Sequence, residues 1–431
     1  MRKSVNFKPF KLEDAMKKRT IISITFFVAA AFVFGLCGPA SAESLDKIKI
    51  GLMFGLTGPA SPIGPVQMKG AQMAIKEIND AGGVNFKGKK IPVVAVVKDD
   101  ETKGDVAVRR FKELRDEDKV HAMVGSTFAG ISKALNTQMR RLPMAYVSAC
   151  VAPMDMFEKG KLAPTTFGIH GTAYSIGYSG AAYIATQLKL KKVFFLAPAY
   201  SFGRDQFKGA KDAFDKYGVE VQYDEAPVKT TDYTPYIQKI AEAKPDICMM
   251  AQWGTGAIAV LKQSYELGLN KKTKIWFNWM TNVFGSGVPA EALEGVYSLM
   301  SWYWNLEGFA DPEVIKAGKE FVDKYTAAYG DPPDPYAGMA YVGTKELIRG
   351  IEQAQSVDPA AIAKAIMAKP EFPSMKGPGT WRIDHQPVFK YGAFVVQGKG
   401  AAERKSKWDL VKVNGAYTWT DYLPTLKSEG Y

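Results

Sequence analysis

Continuous apolar runs alternate with amphipathic helical segments along most of this chain, and this alternation limits the possible folds most strongly. Parallel strands that helices cover on both faces are apolar throughout, whereas half-exposed strands alternate apolar and polar residues. The sequence therefore predicts an α/β fold with mainly parallel sheets. The predicted strands are Ile48–Phe54, Ile91–Lys98, Ala122–Gly125, Met144–Ser148, Lys192–Ala197, Val219–Tyr223, Ile247–Ala251, Lys274–Asn278 and Val296–Trp302.

The helical segments between these runs carry apolar stripes at a spacing of 3.6 residues, as in Ala71, Ala74, Ile75 and Ile78. Two later helices each begin with an aspartate N-cap followed by proline. They are predicted at Pro312–Tyr329 and Pro335–Gln355, with no strand between them. From Gly379 the pattern changes to short strands separated by turns, predicted at Thr380–Ile383, Phe389–Gln397 and Trp408–Val413.

Nine strands of the βα type are too many for one ordinary sheet, so we predict two Rossmann-like lobes. The first lobe is predicted at residues 46–168 plus 302–376, and the second at residues 169–301 plus 377–421. The two late helices return to cover the first lobe. The chain would then pass several times between the lobes, which forms a multi-crossover hinge.

The first 42 residues have the features of a removable secretory leader. A basic stretch from Met16 to Arg19 precedes an apolar run, Ile21–Leu36, and small residues at Ala40 and Ala42 give a cleavage site after Ala42. The run is shorter than a membrane span of about 20 residues. Because the leader features begin at Met16, we expect translation to start there. We expect the mature protein to be periplasmic. A lipoprotein with Cys37 at its lipid site is the alternative, but Leu36 is larger than the small residue expected there.

The composition excludes several classes of function. The full chain has a formal charge of +12, and +7 remains without the leader, with basic residues scattered along predicted helices. No basic run could follow a nucleic-acid backbone, so no nucleic-acid partner is expected. Cys150 and Cys248 are predicted to be small buried thiols, although a disulfide is possible in an oxidising compartment. No spacing of cysteine and histidine suggests a metal site.

Motifs for catalysis or cofactors are weak. The stretch from Gly254 to Ala259 matches a dinucleotide-binding pattern, but the next strand ends at Asn278 without the carboxylate that would hold a ribose. We predict instead a helix N-terminus that faces a ligand cleft and favours an anion. Asp99, Asp100 and Glu101 fit a solvated turn better than catalytic or calcium-binding carboxylates. The sequence thus predicts a protein that is not an enzyme and has no cofactor.

Several motifs in order resemble one known family. They are Ile48–Gly51 leading into Gly58-Pro59, Gly64 with Met68–Ala71, Ile78–Val84, Asp99–Thr102, Val124–Ser126, Ala152-Pro153, Phe202-Gly203 and the helix from Pro335. This set resembles the branched-chain amino-acid-type periplasmic binding proteins over nearly the whole mature chain. The resemblance implies a type I, Venus-flytrap fold. It also implies a small-molecule ligand between the lobes and delivery to an inner-membrane ABC permease. We expect a monomer.

The pocket positions depart from the family pattern. Where members that bind amino acids use tyrosine, serine, threonine, two further tyrosines and glutamate, this chain has Ile63, Ala129, Val151, Phe202, Trp253 and Met280. An amino acid carries two charges, and burying them unmatched costs several kcal/mol. The substitutions therefore predict an apolar, aromatic-walled pocket for an apolar or aromatic carboxylate, although binding of branched-chain amino acids through other residues stays open.

A few polar groups remain to orient such a ligand. The predicted groups are Ser148, the backbone at Ala149, His170, Tyr174 and Asn278, with Trp279 as a wall. The main functional prediction is the solute-binding subunit of an ABC importer. An exported enzyme would need a nucleophile or metal site, and a sensory ectodomain would need a signalling segment; the sequence indicates neither.

Overall fold

The computed structural model describes residues 45–418 and 423–431, and the predicted leader and Cys37 lie outside this part. Within it, no helix is long and apolar enough to cross a membrane. The strands are β1 Ile48–Phe54, β2 Val84–Phe86, β3 Lys89–Ile91, β4 Val93–Asp99, β5 Ala122–Gly125, β6 Ala145–Ser148, β7 Thr166–Gly168, β8 Lys192–Pro198, β9 Glu220–Ala226, β10 Ile247–Met250, β11 Lys274–Phe277, β12 Tyr297–Met300, β13 Glu371–Ser374, β14 Gly377–Trp381, β15 Pro387–Phe389, β16 Ala393–Gly398 and β17 Val411–Tyr417. The α-helices are α1 Gly64–Asp80, α2 Gly104–Lys112, α3 Ala129–Met139, α4 Ala173–Thr186, α5 Ser201–Tyr217, α6 Thr234–Ala243, α7 Thr255–Glu266, α8 Asn282–Ser286, α9 Ala290–Leu293, α10 Pro312–Tyr329, α11 Pro335–Ala354 and α12 Pro359–Ala368.

The first lobe is built on a parallel sheet with the strand order β4-β1-β5-β6-β7. Its strands are apolar because helices cover them: Met53, Phe111, Leu135 and Tyr146 meet in one buried cluster. Helices α1 and α11 pack together, and α11 also contacts β5 and β6. The late helices therefore return to the first lobe, as their lack of an intervening strand predicted.

The second lobe is built on a sheet with the order β17-β16-β12-β11-β10-β8-β9. Strands β8 to β12 are parallel, and the tail adds β16 and β17 antiparallel at one edge. Helices α4 and α5 cross closely, since a Cβ on Gly177 would lie 1.9 Å from the carbonyl oxygen of Gln206. Glycine at this position lets the two backbones touch.

The predicted strands before residue 301 are confirmed, with ends shifted by up to three residues. The sequence missed β7, the β2–β3 hairpin, β13 and α12. Predicted strand Thr380–Ile383 was displaced: β14 ends at Trp381, because the chain turns through His385 at a φ of +58°. The predicted strand Phe389–Gln397 is two strands, since the chain breaks the ladder between β15 and β16.

The chain passes between the two sheets three times: after β7, after β12, and between the small sheet β13–β15 and β16. Trp302, Tyr303 and Trp304 lie at the second passage. Trp302 packs on Phe321, and the Tyr303 hydroxyl donates to the carbonyl of Trp408. These three residues therefore pack the hinge. The predicted lobe boundary after residue 376 falls within the small sheet, and the exact boundaries stay a prediction.

Candidate ligand-binding cleft

The loops at the carboxyl ends of strands from both sheets face each other. Phe128, after β5, stacks on Tyr200, after β8, with ring centroids 4.7 Å apart. A Cβ on Gly254, after β10, would lie 2.2 Å from the carbonyl oxygen of Pro59, after β1. Ligands of parallel α/β sheets bind at this end of the strands. The cleft is therefore bounded by both lobes, which contact each other across it.

The first lobe contributes a group of buried hydroxyls and one thiol, which we call the hydroxyl cluster: Ser126, Ser132, Tyr146, Ser148 and Cys150. The Ser132 oxygen lies 2.7 Å from the Ser148 oxygen, 3.2 Å from that of Ser126, 3.3 Å from that of Tyr146 and 3.1 Å from the Cys150 sulfur. Burial raises the pKa of the Cys150 thiol, which stays protonated. The cluster is neutral, and its members satisfy one another.

Aromatic rings from both lobes line the cleft. We call the following residues the aromatic group: Phe128, Tyr200, Phe202, Trp253, Trp279 and Tyr336. Phe202 stacks on Tyr200 at 5.8 Å, and Trp253 lies 5.6 Å from Phe128. Burial raises the pKa of the Tyr336 hydroxyl, and side-chain hydrogen bonds with Trp279 and Trp253 partly offset this rise. These contacts bring rings from both lobes together in the cleft.

His170 lies beside Tyr336 of this group and has unused hydrogen-bonding capacity. Its ring centroid is 4.8 Å from that of Tyr336, and the side chain is 1% exposed. Within the described residues, neither ring nitrogen has a hydrogen-bond partner. Burial, together with the charge of Lys376, lowers the pKa of His170 to about 3. A neutral imidazole is therefore buried with one donor and one acceptor unpaired, which costs about 1–3 kcal/mol per group.

Unpaired polar atoms also follow the strands of the second lobe. Both side-chain amide atoms of Gln252, the Asn278 Oδ1 and the Ser301 hydroxyl are buried without a partner in the described part of the chain. They come directly after β10, β11 and β12. This end of the second sheet thus retains polar groups that a ligand or water could satisfy.

Most of the residues predicted from the sequence lie at these strand ends. Ile63 is the N-cap residue of α1, Ala129 begins α3, and Val151 and Met280 follow β6 and β11; all four are buried. Phe202, Trp253 and Trp279 belong to the aromatic group. That these residues contact a ligand stays a prediction.

Three predicted polar contacts are already engaged within the protein. Ser148 belongs to the hydroxyl cluster. The Ala149 amide donates to the Gly125 carbonyl at 2.8 Å, so this N–H is occupied. The Asn278 side-chain Nδ2 donates to Gln206 Oε1 at 2.7 Å, while Asn278 Oδ1 has no partner in the described residues. Each of these residues therefore has fewer hydrogen-bonding groups available to a ligand than the sequence predicted.

Tyr174 already has a partner within the second lobe, and its contact with a ligand stays a prediction. Its hydroxyl donates to Asp212 at 2.9 Å, and its ring stacks on Tyr178. The side chain therefore joins α4 to α5 instead of meeting the aromatic group. The cause is its place on α4, where it faces the neighbouring helix.

The glycine-rich turn before α7 makes an interlobe contact that the sequence did not predict, and the anion site predicted at this helix start stays a prediction. Gly254 has a φ of +61° and a ψ of −135°, a conformation that favours glycine. Its backbone meets Pro59 of the first lobe, as described above. The start of α7 is therefore an interlobe contact, which the predicted anion site did not include.

Sequence reasoning missed Phe128, Tyr200, Tyr336 and Gln252. Phe128, Tyr200 and Gln252 lie within three residues of a strand end, and Tyr336 is the second residue of α11. For Phe128, Tyr200 and Gln252, the position just after a strand was the available signal. The two predicted buried thiols are confirmed, because Cys150 and Cys248 are both free and buried. In the described residues, no group of three or more acidic, histidine or cysteine side chains could hold a metal ion.

The comparisons agree with this architecture. The family model described as "Periplasmic binding protein" matches residues 47–402. The Leu/Ile/Val-binding protein homolog 1 of Brucella abortus (strain 2308) is 24% identical over 352 residues, which cover 81% of this chain and 89% of that protein. The amino acid ABC transporter substrate-binding protein from Pseudomonas fluorescens Pf-5 has a TM-score of 0.79 at 21% identity and covers 90% of this chain and 99% of its own. A solute-binding protein from R. palustris in complex with benzoate has a TM-score of 0.73 at 21% identity, with 86% and 96% covered. The two-lobed fold and the resemblance predicted from the motifs are confirmed: this chain belongs to the periplasmic binding protein family, in its branched-chain amino-acid type.

Proposed function

We propose that this protein is the solute-binding subunit of an ABC importer and that it captures a small aromatic or apolar carboxylate in the cleft. The bound solute would then pass to an inner-membrane permease. The family supports the binding role, and the residues of the cleft support the ligand class. We also propose that the protein is periplasmic after cleavage behind Ala42, acts as a monomer and catalyses no reaction.

The observation that carries the ligand class is the buried imidazole of His170, which lies beside Tyr336 and has no hydrogen-bond partner in the described part of the chain. Aromatic rings offer apolar area and stacking for a flat ligand. The neutral imidazole offers one N–H donor, which a ligand carboxylate can accept. Ligand binding would thereby supply the partner that His170 lacks.

A branched-chain amino acid fits these residues less well. Its ammonium needs a counter-charge, whereas the hydroxyl cluster and the indoles are neutral and the unpaired acceptors Gln252 Oε1 and Asn278 Oδ1 are uncharged amide oxygens. The names of the relatives still include Leu/Ile/Val binding as well as benzoate, so both ligand classes belong in the test.

The test is a thermal-shift and calorimetric panel on the mature protein from Glu43, after unfolding and refolding to remove carried-over ligand. The panel contains benzoate, cinnamate, phenylacetate, leucine, isoleucine and valine. A ligand at 100 times its Kd stabilises the folded state by about 2.7 kcal/mol. We expect shifts with the aromatic acids and weaker binding in His170→Phe, with Tyr174→Phe as the control that binds normally.

The other outcomes separate the parts of the proposal. A shift only with leucine, isoleucine and valine would reject the aromatic ligand class and leave the importer role in place. Equal binding by wild type and His170→Phe would reject His170 as a ligand contact.

A further inference from the structure

We propose that Phe128 is a latch across the cleft: by stacking on Tyr200 it holds the lobes closed and sets how slowly a bound solute leaves. The proposal concerns closure itself, and it rests on the proposed function only where solute release is measured. Sequence motifs did not point to Phe128, whose position follows from the structure alone.

The geometry of the pair is that of a direct stack. The two rings are 4.7 Å apart at an interplanar angle of 19°, and the Phe128 ring also reaches Trp253 at 5.6 Å. Phe128 belongs to the first lobe, and Tyr200 and Trp253 belong to the second. Because the pair joins two bodies, its stacking energy is available only when the cleft is closed.

Both partners are held in place by their own lobes. The Ser126 hydroxyl donates to the Phe128 carbonyl at 3.1 Å, and the Phe128 ring packs against the core cluster of the first lobe. The Tyr200 amide donates to the Pro198 carbonyl at 2.8 Å, and the Tyr200 carbonyl accepts from the Gly203 amide at 3.1 Å. The rings are therefore prepositioned, so closure orders few additional groups.

The exposure of the rings places the latch at the rim of the cleft. Phe128 and Tyr200 are partly exposed, whereas Trp279, Tyr336 and His170 are buried. On this proposal, a solute that contacts His170 leaves past this pair. Opening the stack is therefore a step in release, and losing the stack makes release faster.

The first measurement reports closure without any ligand. Met154 and Asp205 lie on opposite lobes, and the Met154 amide donates to Asp205 Oδ2 at 3.1 Å. With Met154→Cys and Asp205→Cys, the rate of disulfide trapping under a fixed oxidant reports the closed population, even when it is small. Adding Phe128→Leu should slow trapping two- to twelvefold, which corresponds to about 0.5–1.5 kcal/mol for an aromatic pair.

The second measurement is stopped-flow release of benzoate from proteins without the added cysteines. Phe128→Leu and Tyr200→Leu should each speed release by a similar factor, and the double variant should add little. Phe207→Leu is the matched control, because Phe207 stacks on Tyr223 at 3.8 Å within the second lobe.

The two measurements keep the proposals apart. Failure of wild type to bind benzoate counts against the proposed ligand class, while the trapping rates still decide on the latch. The latch is overturned if Phe128→Leu traps, or releases benzoate, at the same rate as Phe207→Leu.

Discussion

The polar side chains of the two lobes at the cleft differ in how fully they are hydrogen-bonded within the protein. On the first lobe, the hydroxyl cluster is small, neutral and internally satisfied, with Ser132 at its centre. On the second lobe, the side-chain amide of Gln252 and the Asn278 oxygen have no hydrogen-bond partner among the described residues, and each is followed in the chain by a tryptophan. A satisfied polar surface needs no ligand to be stable, whereas unpaired polar groups remain costly until a partner arrives. The hydroxyl cluster of the first lobe is therefore stable without a ligand. The second lobe is stabilised most by a ligand, which can pair its unpaired polar groups.

Gln67 and Asp100 depart from this pattern on the first lobe, because Gln67 Oε1 and Asp100 Oδ2 have no hydrogen-bond partner in the described residues. Asp100 gives the largest expected effect. It is buried, its Oδ1 accepts from the Thr102 amide at 2.8 Å, and burial together with the charge of Asp99 raises its pKa to about 7. The folded state keeps this proton between pH 3.8 and about 7, where the unfolded chain has lost it, so stability falls as pH rises through this window. Relative to Asp100→Asn, wild type should lose roughly 1.4 kcal/mol per pH unit in urea unfolding between pH 4 and 7.

Asp99→Asn is the matched control for that measurement. Burial opposes its ionisation, but hydrogen bonds from Thr57, Glu101 and Leu56 lower the pKa of Asp99 overall. Ionised Asp99 stabilises the folded state at neutral pH, and this stabilisation is lost as pH falls. The difference in free energy of unfolding between wild type and Asp99→Asn should therefore change with pH in the opposite direction. The same pH trend in both variants would contradict a buried, protonated Asp100.

Gly254→Ala tests whether ligand binding requires the contact between Gly254 and Pro59 of the other lobe. The added Cβ would lie 2.2 Å from the Pro59 oxygen, and alanine disfavours a φ of +61°. Strain of this kind costs about 1–3 kcal/mol, which is a roughly 5- to 150-fold weaker affinity for the solute found in the panel. Calorimetry of ligand binding measures the change.

Gly268→Ala separates backbone strain from lost closure. Gly268 also has a positive φ, +67°, but a Cβ there would meet nothing within 4 Å. This variant should lose some stability and bind normally. Equal loss of affinity in both variants would mean that the contact with Pro59 does not matter.

Ser132→Ala tests whether the hydroxyl cluster stabilises the first lobe, and its expected effect is the smallest. Removal of the central hydroxyl leaves buried partners incompletely bonded, so we expect a loss of about 1–2 kcal/mol in urea unfolding. Thr137→Ala, on the exposed side of the same helix, should stay within about 0.5 kcal/mol of wild type. Matching losses would argue that the cluster adds nothing to stability.

Local patterns were enough to predict most of the fold. Apolar runs located the strands of both sheets, and the Asp-Pro pairs at Asp311 and Asp334 located the starts of two helices, where both aspartates accept backbone hydrogen bonds. The β2–β3 hairpin was missed because its strands are three residues long, too short for a period to be visible.

The cleft was predictable in position more than in contacts. Trp253 and Trp279 follow strands and could be found from the sequence, but Phe128 owes its role to Tyr200, a residue 72 positions away on the other lobe. The hydrogen bond from Tyr174 to Asp212 was not predicted, because it depends on how α4 and α5 cross. Pairings between distant segments depend on tertiary packing, which a local pattern does not contain.

The three passages of the chain between the sheets have a consequence for how such a molecule can change over time. Helices α10 to α12 belong with the first sheet but come after the strands β8 to β12 of the second. Neither lobe is a continuous stretch of sequence, so no single insertion, deletion or exchange of a gene segment can replace one lobe and spare the other. The two faces of the cleft must therefore be inherited together, and a new ligand preference has to arise by substitutions within a shared chain.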